Sequence, residues 1–188
     1  MGSSPIGHPR FFKRFLIALI FASASASAET VSFSVCFEHG CANSVSITLG
    51  PSDWEIIRKL FADVKDAEVE RERIAQSIAA LETLASGNIG AADRGGTGLA
   101  YPGQMDCIDE STNSTNYLKL LAHDGLLRWH RVEERATRGW LIFGWPHTTA
   151  VISEQATGER FAVDSWFYDN GIAPVIVPLE EWRRGWNP

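Results

Sequence analysis

The chain has little positive charge: 17 Lys and Arg stand against 23 Asp and Glu in 188 residues. Three of those bases, Arg10, Lys13 and Arg14, sit in the first 14 positions, so beyond residue 28 the balance is 14 against 23, a net charge of −9. A body this acidic offers no electrostatic footprint for nucleic acid or anionic lipid, and neither is expected as a partner. Long apolar runs are missing too. The longest, Phe15 to Ala22 (FLIALIFA), is well below the roughly 18 residues a membrane-spanning helix needs. No G-x-x-x-x-G-K-[ST] segment occurs, which removes the P-loop class, and there are no internal repeats. Cysteine is sparse, with three in all.

The N-terminus reads as a separate object. A basic stretch, a short apolar core and the small-residue tail ASASASA follow one another in the order of a secretory signal, and Ala26-Ser27-Ala28 fits the A-x-A cleavage pattern. The expectation is a signal peptide over 1–28 and one mature domain over 29–188, exported to the periplasm or beyond and not inserted in a membrane after cleavage. No cysteine stands at the cut to accept a lipid.

In an oxidising compartment three cysteines leave one over. Cys36 and Cys41 lie close together in VCFEHGC, and their pairing as a small disulfide is the favoured reading. A metal site from Cys36, His39 and Cys41 lacks a clear fourth ligand, and two unpaired buried thiols are the remaining alternative. No metal and no cofactor is expected. Cys107 stands alone.

Strand-like alternation marks 30–37 and Val45 to Leu49. Ser52 and Glu55 suggest a capping box opening a helix that carries Trp54, Ile57, Leu60, Phe61 and Val64 at helical spacing. A second helix is expected over 67–85, with Ile74, Ile78 and Leu81 on one face and the run EVERER as a solvated face. Residues 86–104 hold six glycines and a proline, which reads as a long irregular loop of functional character. Ser111 to His123 reads as a helix ended by Gly125. Short strands follow at about 127–135, 139–143, 147–153 and 159–167, then a Pro-bounded tail that packs its Trp residues on the body. The class is α+β, with N-terminal helices packed on an antiparallel sheet.

A nucleophilic cysteine needs its thiolate stabilised, most often by a helix N-terminus and a histidine. Cys107 lies where the glycine-rich loop meets a helix, with Asp106 and Asp109 beside it: they oppose a thiolate by their charge, while either could cap the helix. An isolated cysteine is more often a small core residue, so partners decide its meaning. Of the histidines, His123 is accounted for as a helix C-terminal cation and His130, in RWHRVEER, as exposed. His147 alone opens a strand near an acid in a neighbouring strand. That acid is Asp164, in RFAVDSW, unexpected among Val and Trp. Taking S153-EQAT-G158 as a four-residue hairpin loop puts His147 directly opposite Asp164, with Cβ atoms about 5 Å apart; a two-residue slip would undo this register. Cys107 as nucleophile, His147 as base and acid, and Asp164 as the orienting group complete the set. For an oxyanion the donors in view are the backbone N–H of Cys107 and the side chain of Gln104.

With these residues in hand, the sequence resembles the transglutaminase-like superfamily, including its bacterial cysteine-proteinase branch, over about residues 50–170. DCIDESTN running into YLKLLAHDGL, then HTTAVI, then ERFAVDSW carry the resemblance. It implies a papain-like fold with a cysteine opening a helix and with His and Asp following on adjacent strands, which assigns Cys107, His147 and Asp164 the same three roles. Ile108 follows Cys107 where many cross-linking members have Trp, and Thr148 follows His147 where an aromatic is frequent, so hydrolysis is favoured over acyl transfer. The expected activity is an exported thiol hydrolase cleaving a peptide or isopeptide bond of a peptide or protein substrate. A cell-wall peptide hydrolase also uses D-C at a helix start but usually orients its His with another His. A non-catalytic envelope module keeping the fold for binding is the competing class, and thiol reactivity separates it from the enzymes.

Overall fold

The computed structural model describes residues 1–2, 30–89, 94–96, 104–139 and 146–188. The expected signal segment with its expected cleavage site, most of the glycine-rich loop and residues 140–143 of an expected strand lie outside the described residues. Among the described residues no helix is long and apolar enough to cross a membrane.

Alternation in the first strands puts Phe33, Val35, Ile47 and Leu49 on one buried face. β1 (Val31–Phe37) and β2 (Asn43–Leu49) pair antiparallel, Val31 opposite Leu49 and Phe37 opposite Asn43. α1 (Pro51–Leu60) starts earlier than its sequence suggested: Gly50 is the N-cap, Pro51 occupies the first turn, and no side chain caps it. The Ser52–Glu55 box does not form, because a proline needs no N–H partner and its fixed φ begins the helix ahead of Ser52.

α2 (Ala67–Ile89) runs 23 residues, continuing through Ser86 and Gly87 into what read as loop. One glycine costs a helix only about 1 kcal/mol, and the buried face of Ile74, Ile78, Leu81 and Ala85 outweighs it. α3 (Cys107–His123) begins at the cysteine itself, and Gly125, just past its C-cap Asp124, takes φ +70.

β3 (His130–Arg138), β4 (His147–Glu154), β5 (Arg160–Val163) and β6 (Ile176–Pro178) form one antiparallel sheet in that order. β6 and the short helix α4 (Leu179–Arg183) both arise in the tail, where the sequence gave only packed tryptophans. Alternation in β4 and β5 serves two cores. Ala150, Ile152, Phe161 and Val163 face the helices and the β1–β2 pair, while Val151 and Ala162 face Val177, Leu179 and Trp182 on the other side. The architecture is α+β, with helices and antiparallel sheets.

Two charge readings need correction. Within EVERER, Glu70 is fully buried and its carboxylate accepts the backbone N–H groups of Arg128 (2.7 Å), Trp129 (3.1 Å) and His130 (2.9 Å). His130 is likewise buried, not exposed. Its Nδ1 lies 2.9 Å from Glu70 Oε1, and Arg71 Nη1 lies 3.2 Å from its Nε2. A guanidinium can only donate, so Nε2 accepts and the ring is the neutral Nδ1–H tautomer donating to Glu70. The chain turning from α3 into β3 thus has its backbone donors satisfied by one acid of α2.

Candidate active site

The aspartate before the cysteine sets the start of α3. Asp106 has extended backbone (φ −97, ψ 179), and its Oδ1 accepts the N–H groups of Ile108 (3.0 Å) and Asp109 (2.9 Å). Asp109 Oδ2 accepts the Asp106 N–H in return (3.1 Å), a capping box built from two aspartates. Cys107 therefore occupies the first helical position, where a backbone N–H has no helical partner. Burial holds the Asp109 carboxyl above its ordinary value, against hydrogen bonds from the backbone of Asp106, Cys41 and His39.

Those last two donors come from the β1–β2 turn. Cys41 N–H donates to Asp109 Oδ1 (2.5 Å) and Gly40 N–H to Asp106 Oδ2 (2.9 Å). Asn113 of α3 grips the backbone of Cys36, accepting from its N–H (2.7 Å) and donating to its carbonyl (2.9 Å). Cys36 and Cys41 are disulfide-bonded across this turn, and Cys107 is the one free cysteine among the described residues. Four successive residues, Glu38, His39, Gly40 and Cys41, lie in the left-handed region (φ 64, 55, 70 and 59). Three of them are not glycine, and each such residue costs roughly 1–2 kcal/mol.

On the sheet side, His147 opens β4 and Asp164 follows β5. The ladder runs Ser153–Arg160, Ile152–Phe161, Ala150–Val163, two residues away from the register expected. The loop is Gln155 to Gly158: Glu154 and Glu159 close it through a 2.8 Å bond, and Gly158, not its neighbour, takes the left-handed position at φ +72. Continued one step, this register sets Asp164 opposite Thr149, so His147 is its diagonal neighbour. A diagonal pair lies within reach of long side chains, and His147 Nε2 meets Asp164 Oδ2 at 2.7 Å. Both residues keep the parity of the Trp182 face, which the slip did not change because it was even.

Asp164 is almost fully buried, and the same Oδ2 accepts a second bond from Trp182 Nε1 at 2.6 Å. The imidazole of His147 is packed by Trp166, Phe167 and Trp182, with centroids 4.9, 5.2 and 5.7 Å away. Burial disfavours its charged form, yet hydrogen bonds and charge from Asp164 and Cys107 outweigh this and push its pKa up to about 9. The ring thus sits between the acid and the thiol, Nε2 to Asp164, which leaves Nδ1 for Cys107. Cys107 Sγ also lies 4.0 Å from the carbonyl of Pro146. Arg138, paired with His147 across the β3–β4 ladder, stacks on Trp182 at 4.5 Å and donates to the carbonyls of Trp182 and Trp186.

Gln104 is placed differently from its expected role. Its Nε2 donates to the carbonyls of Arg94 (3.0 Å) and Met105 (3.2 Å), which engages both amide hydrogens, and its Oε1 accepts the Arg94 N–H. Gln104 therefore anchors the 94–96 strap, and as placed it has no hydrogen left for an oxyanion. The strap in turn holds the aromatic segment after Asp164: Gly96 N–H donates to Trp166 O (2.7 Å), and Gly95 lies so close that a Cβ there would stand 2.4 Å from the Tyr168 backbone. The backbone N–H of Cys107, at the first helical position, remains the donor beside its sulfur.

Cys107, His147 and Asp106 line a cleft of about 750 Å³ together with His39, Arg138, Pro146, Trp166, Phe167 and Asn187. Among the described residues no group of three or more His, Cys, Asp or Glu is arranged to hold a metal ion. The sequence did not single out Trp182, Arg138 or the Trp166–Phe167 pair. Leu179 and Trp182, three apart, were the available hint of a helix facing the body. No family model, no curated protein and no solved structure matches the chain.

Proposed function

We propose that the protein is an exported thiol hydrolase of the transglutaminase-like kind, with a papain-like fold, that cleaves a peptide or isopeptide amide. The observation that carries this reading is the His147 ring, bonded through Nε2 to a buried carboxylate and held beside Cys107 at the mouth of a cleft. In this reading His147, charged at neutral pH, supplies the counter-charge a thiolate needs. The Cys107 sulfur adds to the amide carbonyl and the carbonyl oxygen becomes an oxyanion facing the Cys107 backbone N–H. As the C–N bond breaks, His147 delivers its proton to the leaving amine, and an acyl-thioester remains on Cys107. His147, now neutral, takes a proton from water as the oxygen attacks the thioester. The thiolate leaves as the acid product departs, and the thiolate–imidazolium pair is restored.

The hydrophobic and aromatic wall of Trp166 and Phe167 suits the body of a peptide more than a small polar substrate. An Asp rather than a second His beside His147 separates this reading from cell-wall hydrolases of the D-C type. The test is iodoacetamide labelling across pH with mapping of the modified residue. Cys107 should be labelled well below the pH at which an ordinary thiol reacts, and Cys107→Ala should abolish both labelling and any amide turnover. Labelling of Cys107 only near pH 8.5, the ordinary thiol value, would leave a non-catalytic module as the better account.

A further inference from the structure

The cleft has two walls. The sheet side supplies Arg138, Pro146, His147, Trp166 and Phe167, and the side of the α3 N-terminus supplies Asp106, Cys107 and one residue of the β1–β2 turn, His39. His39 is half-buried, and among the described residues its imidazole makes no hydrogen bond or ion pair. We propose that His39 is a substrate-positioning residue, which hydrogen-bonds the main chain of a bound peptide from the wall opposite His147. The inference rests on the thiol-hydrolase reading above.

The turn is built at a cost that joining two strands does not require. A hairpin can be closed by two residues with glycine or asparagine at the left-handed positions, whereas here Glu38, His39 and Cys41 all adopt that conformation around Gly40. Residues in this region persist only where their surroundings over-determine them, and they cluster at ligand sites. The surroundings here are specific. The Cys36–Cys41 disulfide closes the turn, Asn113 fixes its first strand, and Asp106 and Asp109 hold the Gly40 and Cys41 N–H groups. Each of these anchors except the disulfide comes from the N-cap or the first two turns of α3, the helix that carries Cys107. The same two carboxylates that start the nucleophile's helix therefore fix His39 relative to the sulfur. An imidazole can donate to a peptide carbonyl or accept from a peptide N–H, which suits it to grip an extended chain whose scissile bond lies over Cys107.

Two reagents separate this role from the chemistry. Iodoacetamide reports the Cys107–His147 pair and needs no subsite, while a mixture of dipeptidyl chloromethyl ketones alkylates the same sulfur only after its peptide binds. His39→Ala should lower the labelling rate by the peptidyl mixture about tenfold, the loss of roughly one hydrogen bond, and leave iodoacetamide labelling and its pH profile unchanged. His39→Gln, which keeps a donor and an acceptor, should recover most of the rate. Cys36→Ser with Cys41→Ser should resemble His39→Ala. An unchanged peptidyl rate in His39→Ala overturns the proposal, and so does a parallel fall with both reagents, which would make His39 part of the thiol chemistry or of the fold. Failure of the peptidyl mixture to label Cys107 in the wild type would instead strike the hydrolase reading itself.

Discussion

Asp164 Oδ2 serves two donors at once, Trp182 Nε1 and His147 Nε2, in a nearly dry environment. A buried carboxylate with one donor removed is poorly compensated, so Trp182→Phe, which keeps the packing and deletes the N–H, should destabilise the protein by about 1–3 kcal/mol in urea unfolding. Asp164→Asn should retain the fold and still orient the ring, but it cannot balance an imidazolium. Turnover should fall by roughly 10² to 10⁴, and the pH at which Cys107 begins to alkylate should rise. Superimposable alkylation profiles would detach Asp164 from the chemistry. His147 also fixes a pH dependence of stability. Its folded pKa of about 9 lies above the ordinary 6.5, so its contribution is fully present below about 6.5 and is lost as pH rises through about 9. The stability difference between wild type and His147→Gln should narrow over that interval, as followed by denaturant midpoints.

At the level of elements, α2 does more than cover the core. Through Glu70 it satisfies three successive backbone donors where α3 turns into β3, and Arg71 adds an ion pair to Glu154 (3.1 Å) and a stack on Phe161 (4.2 Å). Glu70→Gln puts an amide donor against backbone donors and should cost about 2–4 kcal/mol, read as a lower urea midpoint at unchanged slope. Helices α1 and α2 and strands β1 and β2 were legible in the sequence because their apolar spacing decides burial by itself; α3 was legible from Tyr117 onward, its earlier buried positions being polar. Cys107, His147 and Asp164 were legible as chemical types in order. The contact between His147 and Asp164 was reached through the wrong register, and it survived because the two-residue error preserved the face. Glu70 and His130 were misread for a physical reason: burial of a charged residue depends on partners 58 to 60 positions away, which no local pattern encodes. The partner of the Gln104 amide, Arg94 ten positions upstream, was likewise not legible from any local pattern.

For the molecule as a whole, two cores share one sheet, and the candidate site lies where the start of α3 meets the start of β4. If the segment before residue 29 is a cleaved export signal, the exported protein should have Glu29 as its first residue, and an intact mass retaining FLIALIFA would reveal an anchor instead. Peptide mapping without reductant should find Cys36 joined to Cys41 and Cys107 unmodified. The order of the site's parts along the chain also sets a timetable. The disulfide turn and Cys107 emerge first from a chain made from its N-terminus, His147 and Asp164 follow, and Trp182, whose indole gives Asp164 its second donor, comes last. Until residue 182 has emerged and α4 has docked, the carboxylate that holds His147 lacks its indole donor and stands open to water. A half-made chain therefore carries Cys107 before the last of the groups that hold His147 is in place.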